Sequence, residues 1–137
     1  MRAIKLLSAK EAAGNSFANG STVGGAVKVL CQHTGGTAGI ISVFNAAGTV
    51  GPISVAIDAE NDMMMYKSGI FTSTECGTQY LDHGVAVVGY GESHTGVPFY
   101  IIKNSWGTDW GMDGYIYWNR TDPNMCGIAE AASYPVV

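Results

Sequence analysis

The most regular hydrophobic pattern lies in the second half of the chain. In GPISVAIDA, the apolar residues Ile53, Val55 and Ile57 alternate with smaller ones, and this period of two is typical of a β-strand. Two longer apolar runs follow, HGVAVVGYG from His83 to Gly91 and VPFYIIKN from Val97 to Asn104. Both are rich in β-branched and aromatic residues, so the pattern predicts two paired strands.

Other segments give weaker signals. A third β-like run, GYIYWN, covers Gly114 to Asn119, and the consecutive residues Met63 to Met65 are expected to fill gaps in a core. The N-terminal region predicts one short helix around Ile4 to Ala13, followed by a stretch rich in Gly, Ser and Asn. Between Cys31 and Gly51 the apolar residues fit either a short strand or a buried turn of helix.

The turn between the two long strands determines which of their residues face each other. If it is centred on Glu92 to Thr95, residues whose numbers sum to about 187 lie opposite, and His83 faces Asn104. An amide oxygen there can accept a hydrogen bond from one ring nitrogen and leave the other for a nucleophile. An isolated histidine and asparagine are more often structural than catalytic. The choice between these two interpretations therefore depends on the surrounding residues.

Composition and charge exclude several classes of protein. The 137 residues are 47% hydrophobic and 13% charged, as in a globular protein and unlike a disordered one. A net charge of -4 offers no basic surface for nucleic acid, and no apolar run approaches the roughly 20 residues that span a bilayer. No signal peptide is visible, and no motif predicts a metal or a cofactor.

Two segments carry a much more specific signal: LDHGVAVVGYG, from Leu81 to Gly91, and KNSWGTDWGMDGYIYW, from Lys103 to Trp118. Together they resemble the two signature regions of papain-like cysteine peptidases of the cathepsin L-like group. The segments GPISVAIDA, YKSGIF and CGIAEAASYPVV resemble the same group in the same order. The resemblance implies an α+β fold, namely the antiparallel, β-rich, barrel-like right-hand domain of the papain-like fold, without the helical cysteine-bearing domain.

The same resemblance implies roles for individual residues. His83 corresponds to the general base and acid that partners a cysteine, and Asn104 orients it. Trp106 shields their contact from water and helps form the leaving-group side of the substrate-binding cleft. Four further positions correspond to the cleft and its main hydrophobic specificity pocket, which would accept a bulky apolar or aromatic side chain of a peptide substrate: Leu81, Gly84, Ala56 and Ala131.

The three cysteines are Cys31, Cys76 and Cys126, an odd number that leaves one thiol without a partner in the chain. The resemblance implies a disulfide between Cys76 and Cys126, and the alternative is two buried thiols. Cys31 lies in VLCQHTGG, which lacks the aromatic and helix-start context of a reactive thiol. We therefore do not expect Cys31 to be the nucleophile.

These observations predict an unassigned segment over residues 1–45 and a papain-like C-terminal domain over residues 46–137. Only 82 residues precede His83, whereas papain-like enzymes place a CGSCW-like motif about 130–150 residues upstream of the histidine. The favoured hypothesis is a truncated papain-like cysteine endopeptidase that is inactive alone. The alternative is a non-catalytic pseudo-peptidase or binding subunit that pairs with a cysteine-bearing domain or chain.

The resemblance also implies a lysosomal or extracellular location, where disulfides persist. Two segments match the acceptor sequence for N-linked glycosylation, NGS at residues 19–21 and NRT at residues 119–121. Such short motifs also arise by chance, so the sequence leaves their use open.

Overall fold

A computed structural model of the chain describes residues 2–6, 26–32, 43, 46–49 and 51–136, with side chains for 43, 46–49 and 51–134. Val43 and residues 46–49 are helical, a short α-helix covers Asn61–Met64, and a 3-10 turn covers Met125–Gly127. None of the described helices is long and apolar enough to cross a membrane. The described strands are β1 Arg2–Leu6, β2 Ala26–Gln32, β3 Ile53–Ile57, β4 Ile70–Phe71, β5 His83–Glu92, β6 Pro98–Lys103, β7 Tyr115–Asn119 and β8 Ala131–Val136.

These strands form one sheet in the order β2-β8-β3-β5-β6-β7-β4. The long strand β5 lies at its centre, because β3 pairs with its first half, β1 with its second half and β6 with the opposite edge. The described pairs are antiparallel, apart from the parallel pair of β4 and β7. The predicted α+β fold dominated by an antiparallel sheet is confirmed, as are the four predicted strands, which correspond to β3, β5, β6 and β7.

The sheet is packed on both faces around β5 and β6. Residues Val85 to Gly89 are all buried, which explains why β5 reads as a continuous apolar run. The larger core contains Val85 and Val87, together with the fully buried Trp118. A smaller cluster on the alternate residues comprises Ala86, Val88, Phe99 and Ile101.

The predicted register of the β5–β6 hairpin is wrong by two to three residues. Ala86 pairs with Lys103 and Tyr90 pairs with Tyr100, so the paired numbers sum to 189 and 190. His83 therefore lies beyond the end of β6 and pairs with Ile57 of β3 instead.

Two local features cause this shift in register. The connection runs from Ser93 to Val97, where the backbone N–H of Ser93 donates to the carbonyl of Val97 at 2.9 Å, so the turn lies further along the chain than predicted. The register also changes between Val87 and Gly89. An extra residue of this kind leaves no mark in an apolar run that is buried on both faces.

The helix predicted around residues 4–13 is wrong for Ile4 to Leu6, which belong to strand β1, and residues 7–13 lie outside the described residues. Lys5 and Leu6 pair with Tyr90 and Gly89. Pairing with a strand so distant in sequence overrides the local helical pattern, which is a weak determinant.

The predicted boundary at residue 46 stays a prediction. Strands β1 and β2 lie before this boundary, yet both are hydrogen-bonded into the sheet, β2 to β8 and β1 to β5. The sheet therefore includes backbone from both sides of residue 46.

The prediction that the three consecutive methionines fill the core is wrong for two of them. Met63 is 1% exposed, but Met64 and Met65 are 53% and 75% exposed. The helix Asn61–Met64 is only one turn long, so one of three successive side chains faces the core.

Candidate active site

The side chains of His83 and Asn104 meet at one end of the sheet. His83 is the first residue of β5, and Asn104 directly follows β6. Nε2 of His83 lies 2.8 Å from Oδ1 of Asn104. Asn104 is 6% exposed, whereas His83 is only half-buried. The imidazole is thus anchored at Nε2 by a buried amide while the residue as a whole stays partly exposed.

A second hydrogen bond identifies the oxygen of the amide and the tautomer of the ring. The backbone N–H of Ser105 donates to Oδ1 of Asn104 at 2.8 Å. A backbone N–H can only donate, so the amide atom between Ser105 and His83 must be the oxygen. Nε2 of His83 therefore carries the hydrogen, and in the neutral ring Nδ1 holds the lone pair that can accept a proton.

The amide of Asn104 is held at some cost in stability. Its backbone N–H donates to the carbonyl of Gly114 at 2.9 Å, which ties the end of β6 to the start of β7. Its Nδ2 is buried and has no acceptor among the described residues. An unsatisfied buried donor costs about 1–3 kcal/mol. This arrangement keeps the oxygen, and not the NH₂ group, directed at the histidine.

Two tryptophans support the imidazole. Trp106 stacks on His83 with ring centroids 4.8 Å apart and an interplanar angle of 27°. Its ring meets Trp110 edge-on at 5.1 Å, and Trp110 is buried and donates from Nε1 to the carbonyl of Met64 at 3.2 Å. Aromatic contacts of this kind contribute about 0.5–1.5 kcal/mol each beyond area burial. The ring of His83 is therefore connected to the core through Trp106 and Trp110.

The connection between β6 and β7, which carries Asn104 and both tryptophans, requires glycine at one position. Gly111 has φ of +59°, and a Cβ atom there would lie 2.7 Å from the carbonyl oxygen of Tyr115 and 3.1 Å from the ring of Tyr66. Both the left-handed backbone and the close approach require the absence of a side chain. Gly111 thus allows the tryptophan-bearing loop to pack tightly against β7.

The predicted cleft residues lie next to one another across three strands. Ala56 of β3 pairs with Gly84 of β5. Val55 pairs with Ala132 of β8, so continuing this antiparallel register places Ala131 opposite Ala56. Side chains that are directly opposite share a face of the sheet. Small residues therefore form a row across the strands, one position along from the pair formed by His83 and Ile57.

This row borders open space. Gly84 is exposed, and a Cβ atom added to it would meet no heavy atom within 4 Å. Leu81, the fourth predicted cleft residue, is half-buried and lies against Gly127, where a Cβ atom would collide with its side chain.

The loop that precedes His83 is fixed by a disulfide and by two aspartates that the sequence reading did not single out. The predicted disulfide between Cys76 and Cys126 is present, with Cα atoms 5.0 Å apart. Oδ2 of Asp58 accepts from the backbone N–H of Gly77 at 2.6 Å, and Oδ1 of Asp82 accepts from that of Ala59 at 3.0 Å. The only feature of the sequence that could have indicated these two aspartates is their position, since Asp58 follows a predicted strand and Asp82 directly precedes His83.

Cys31 lies far from the histidine along the sheet. It pairs with Ala132 of β8, which pairs with Val55 of β3, which pairs with Val85 of β5. Three strand spacings correspond to about 14 Å along the sheet. This separation does not bring Cys31 to the imidazole.

Comparisons with known proteins give matches over most of the chain. Residues 25–136 match the model of the papain family of cysteine proteases. Cathepsin L of Sarcophaga peregrina is 52% identical over 93 residues, which are 67% of this chain and 27% of that protein. The chain thus spans about a quarter of the length of the curated relatives it matches.

Solved structures show the same fold. The digestive procathepsin L 3 of the Tenebrio molitor larval midgut aligns with a TM-score of 0.73 and 41% identity, covering 82% of this chain and 35% of that one. The bromelain protease of Ananas comosus aligns with a TM-score of 0.70 and 36% identity, covering 81% and 49%.

The β-rich sheet with a histidine and an asparagine joined at one end is the architecture of the right-hand domain of papain-like proteins. The chain belongs to the papain family of cysteine proteases, and its resemblance to the cathepsin L-like group is confirmed.

Proposed function

We propose that this chain supplies the histidine and asparagine of a cysteine peptidase site that hydrolyses peptide bonds. The observation that carries the proposal is the 2.8 Å contact between Nε2 of His83 and Oδ1 of Asn104. It leaves Nδ1 of His83 as the ring atom whose lone pair can accept a proton.

In the proposed reaction, Nδ1 of His83 takes the proton of a cysteine thiol. The resulting thiolate attacks the carbonyl carbon of the peptide bond, and the imidazolium then gives the proton to the leaving amine. In the second half, Nδ1 accepts a proton from water as the hydroxyl attacks the acyl-enzyme, and the thiol is released. Asn104 holds the ring in one tautomer, while Trp106 keeps water away from their hydrogen bond.

The nucleophilic thiol is proposed to come from outside the described side chains, since Cys76 and Cys126 are bonded to each other. The position of Cys31, about 14 Å from β5 along the sheet, supports the proposal that it is not the nucleophile. A cysteine-bearing helical domain, on the same polypeptide or on another, is the proposed partner. Without it, this chain is expected to show no peptidase activity.

The substrate is proposed to be a peptide or protein with a bulky apolar side chain next to the cleaved residue. The row of Ala56, Gly84 and Ala131, one position along the strands from His83, supports this, because small residues there leave space for a large side chain. A lysosomal or extracellular compartment is proposed as well, supported by the Cys76–Cys126 disulfide, which persists under oxidising conditions.

A chimeric enzyme tests the proposed role of His83 and Asn104. The cysteine-bearing domain of the Sarcophaga peregrina relative, joined to the full chain so that β1 and β2 are kept, should hydrolyse a fluorogenic peptide with an aromatic residue followed by arginine. His83→Ala should lower kcat/KM by at least about 100-fold, the lower end for loss of a general base. Asn104→Ala should lower it by about 5–150-fold, which corresponds to 1–3 kcal/mol.

His94→Ala is the matched control, since His94 is an exposed residue of the β5–β6 turn, and its kcat/KM should equal that of the parent chimera. Full activity of the Asn104→Ala chimera would contradict the orienting role. The unaltered chain is assayed alone under mildly acidic, reducing conditions. Turnover that disappears in both Cys31→Ala and His83→Ala would instead make Cys31 the nucleophile and overturn the proposed division of the site.

A further inference from the structure

The end of strand β7 carries a polar arrangement that peptide hydrolysis does not use. Asn119, the last residue of β7, is followed by Arg120 and Thr121. Oδ1 of Asn119 accepts from the backbone N–H of Thr121 at 2.7 Å and from its hydroxyl at 2.8 Å. The two side chains that define an Asn-x-Thr acceptor sequence therefore lie together on the surface.

The nitrogen of this amide has room for a substituent. An asparagine NH₂ group carries two hydrogens, and Nδ2 of Asn119 donates one of them to Oγ1 of Thr72 at 2.9 Å. Replacement of the other hydrogen by a sugar keeps that contact. Asn119 is half-buried, and both Thr72 and Thr121 are exposed, so the path from Nδ2 leads to solvent.

The intervening residue does not crowd this site. The guanidinium carbon of Arg120 lies 5.3 Å from the centre of the Tyr100 ring. Successive side chains along a strand point to opposite faces, so Arg120 and Asn119 face opposite ways.

The site lies away from the candidate active site. Strand β7 begins at Tyr115, which pairs with Lys103, the neighbour of Asn104. It ends at Asn119, which pairs with Phe99 at the other end of β6. The four residue steps from Tyr115 to Asn119 correspond to about 13 Å. A substituent on Asn119 therefore leaves His83 and the row of small residues open to a substrate.

We propose that Asn119 is a site of N-linked glycosylation. In this reaction the amide nitrogen of Asn119 attacks the anomeric carbon of an oligosaccharide carried on a lipid diphosphate. A carbon–nitrogen bond forms, the carbon–oxygen bond to the diphosphate breaks, the lipid diphosphate leaves, and the amide proton passes to a base of the transferase. The proposal does not rest on peptidase activity; it requires only that the chain enters the secretory pathway.

The test expresses the full chain behind a cleavable leader peptide in a eukaryotic cell, and removal of the leader shows entry. Asn119→Gln and Thr121→Ala should each abolish one mobility shift that a peptide N-glycosidase reverses. Thr121→Ser should retain it, because serine also supplies the hydroxyl. Asn19→Gln is the matched control for the second acceptor sequence and should leave the Asn119-dependent shift intact.

The oligosaccharide is transferred to the chain as it enters the secretory pathway. A variant that fails to fold therefore still shows whether the mobility shift is present. A processed chain without any glycosidase-sensitive shift overturns the proposal. A shift that is lost in Asn19→Gln but unchanged in Asn119→Gln overturns it as well.

Discussion

The hydrogen bond between His83 and Asn104 can be measured as a coupling energy in this chain, without any nucleophile. The perturbations are His83→Ala, Asn104→Ala and the double variant, each compared with the parent by urea unfolding. A hydrogen bond of 2.8 Å between partly buried neutral groups contributes about 0.5–1.5 kcal/mol net. We therefore expect the sum of the losses in unfolding free energy of the two single variants to exceed the loss of the double variant by about 1 kcal/mol.

The cycle is needed because the single variants change other contacts too. Asn104→Ala deprives the N–H of Ser105 of its acceptor, and it also removes the unsatisfied Nδ2, so these two effects oppose each other. His83→Ala removes the stacking on Trp106. Each of these terms appears in one single variant and again in the double variant, so it cancels in the coupling energy.

A matched pair checks the measurement. His94 lies in the turn before β6 and Asn104 follows the last residue of β6, so the two are at opposite ends of that strand and their cycle should give a coupling near zero. A coupling near zero for His83 and Asn104 as well would refute the view that this contact holds the imidazole in the folded chain.

Three further predictions concern stability. Joint replacement of Cys76 and Cys126 by alanine should lower the free energy of unfolding by about 4 kcal/mol, from the entropy of a 50-residue loop; a loss below about 1 kcal/mol in urea titrations would contradict this. Gly111→Ala should lower the free energy of unfolding by about 1 kcal/mol or more beyond the loss caused by Gly69→Ala. Both glycines have positive φ, but a Cβ atom at Gly111 would lie 2.7 Å from the carbonyl oxygen of Tyr115, whereas one at Gly69 meets nothing within 4 Å. Equal losses in urea titrations would refute the packing argument. Burial raises the pKa of Tyr100, although the charge of Arg120 opposes the shift. As the pH rises, the unfolded chain therefore loses the tyrosine proton at a lower pH than the folded chain does. The stabilisation is full below pH about 10 and should fall as the pH rises further. Tyr100→Phe should reduce that fall but not remove it, since burial also raises the pKa of Tyr66, and an unchanged slope would count against Tyr100 as a cause.

The strands predicted from sequence are those with a local signature. Strand β3 alternates with period two, and β5 and β6 are long apolar runs. Strands β1, β2 and β8 were not predicted, because their mixed apolar and polar residues give neither a clear period of two nor a long apolar run. Strand β4 has two residues, too few to show any period.

The contact between His83 and Asn104 forms although the hairpin register from which it was predicted is wrong. That register placed His83 opposite Asn104, whereas His83 pairs with Ile57. The contact forms because Asn104 follows the last residue of β6 and its side chain reaches past the strand end to the first residue of β5. The resemblance to papain-like peptidases identified the pair through the surrounding residues, which do not depend on the register.

The contacts that orient the imidazole all come from one short stretch of this chain, the connection between β6 and β7. Asn104 fixes the tautomer, Trp106 covers one face of the ring, and Trp110 ties that stack to the core. The orientation of this ring is therefore set by contacts within the described sheet. Under the proposed function, a cysteine-bearing partner supplies the nucleophile and the groups that stabilise the developing oxyanion, while the proton acceptor is already oriented by this chain.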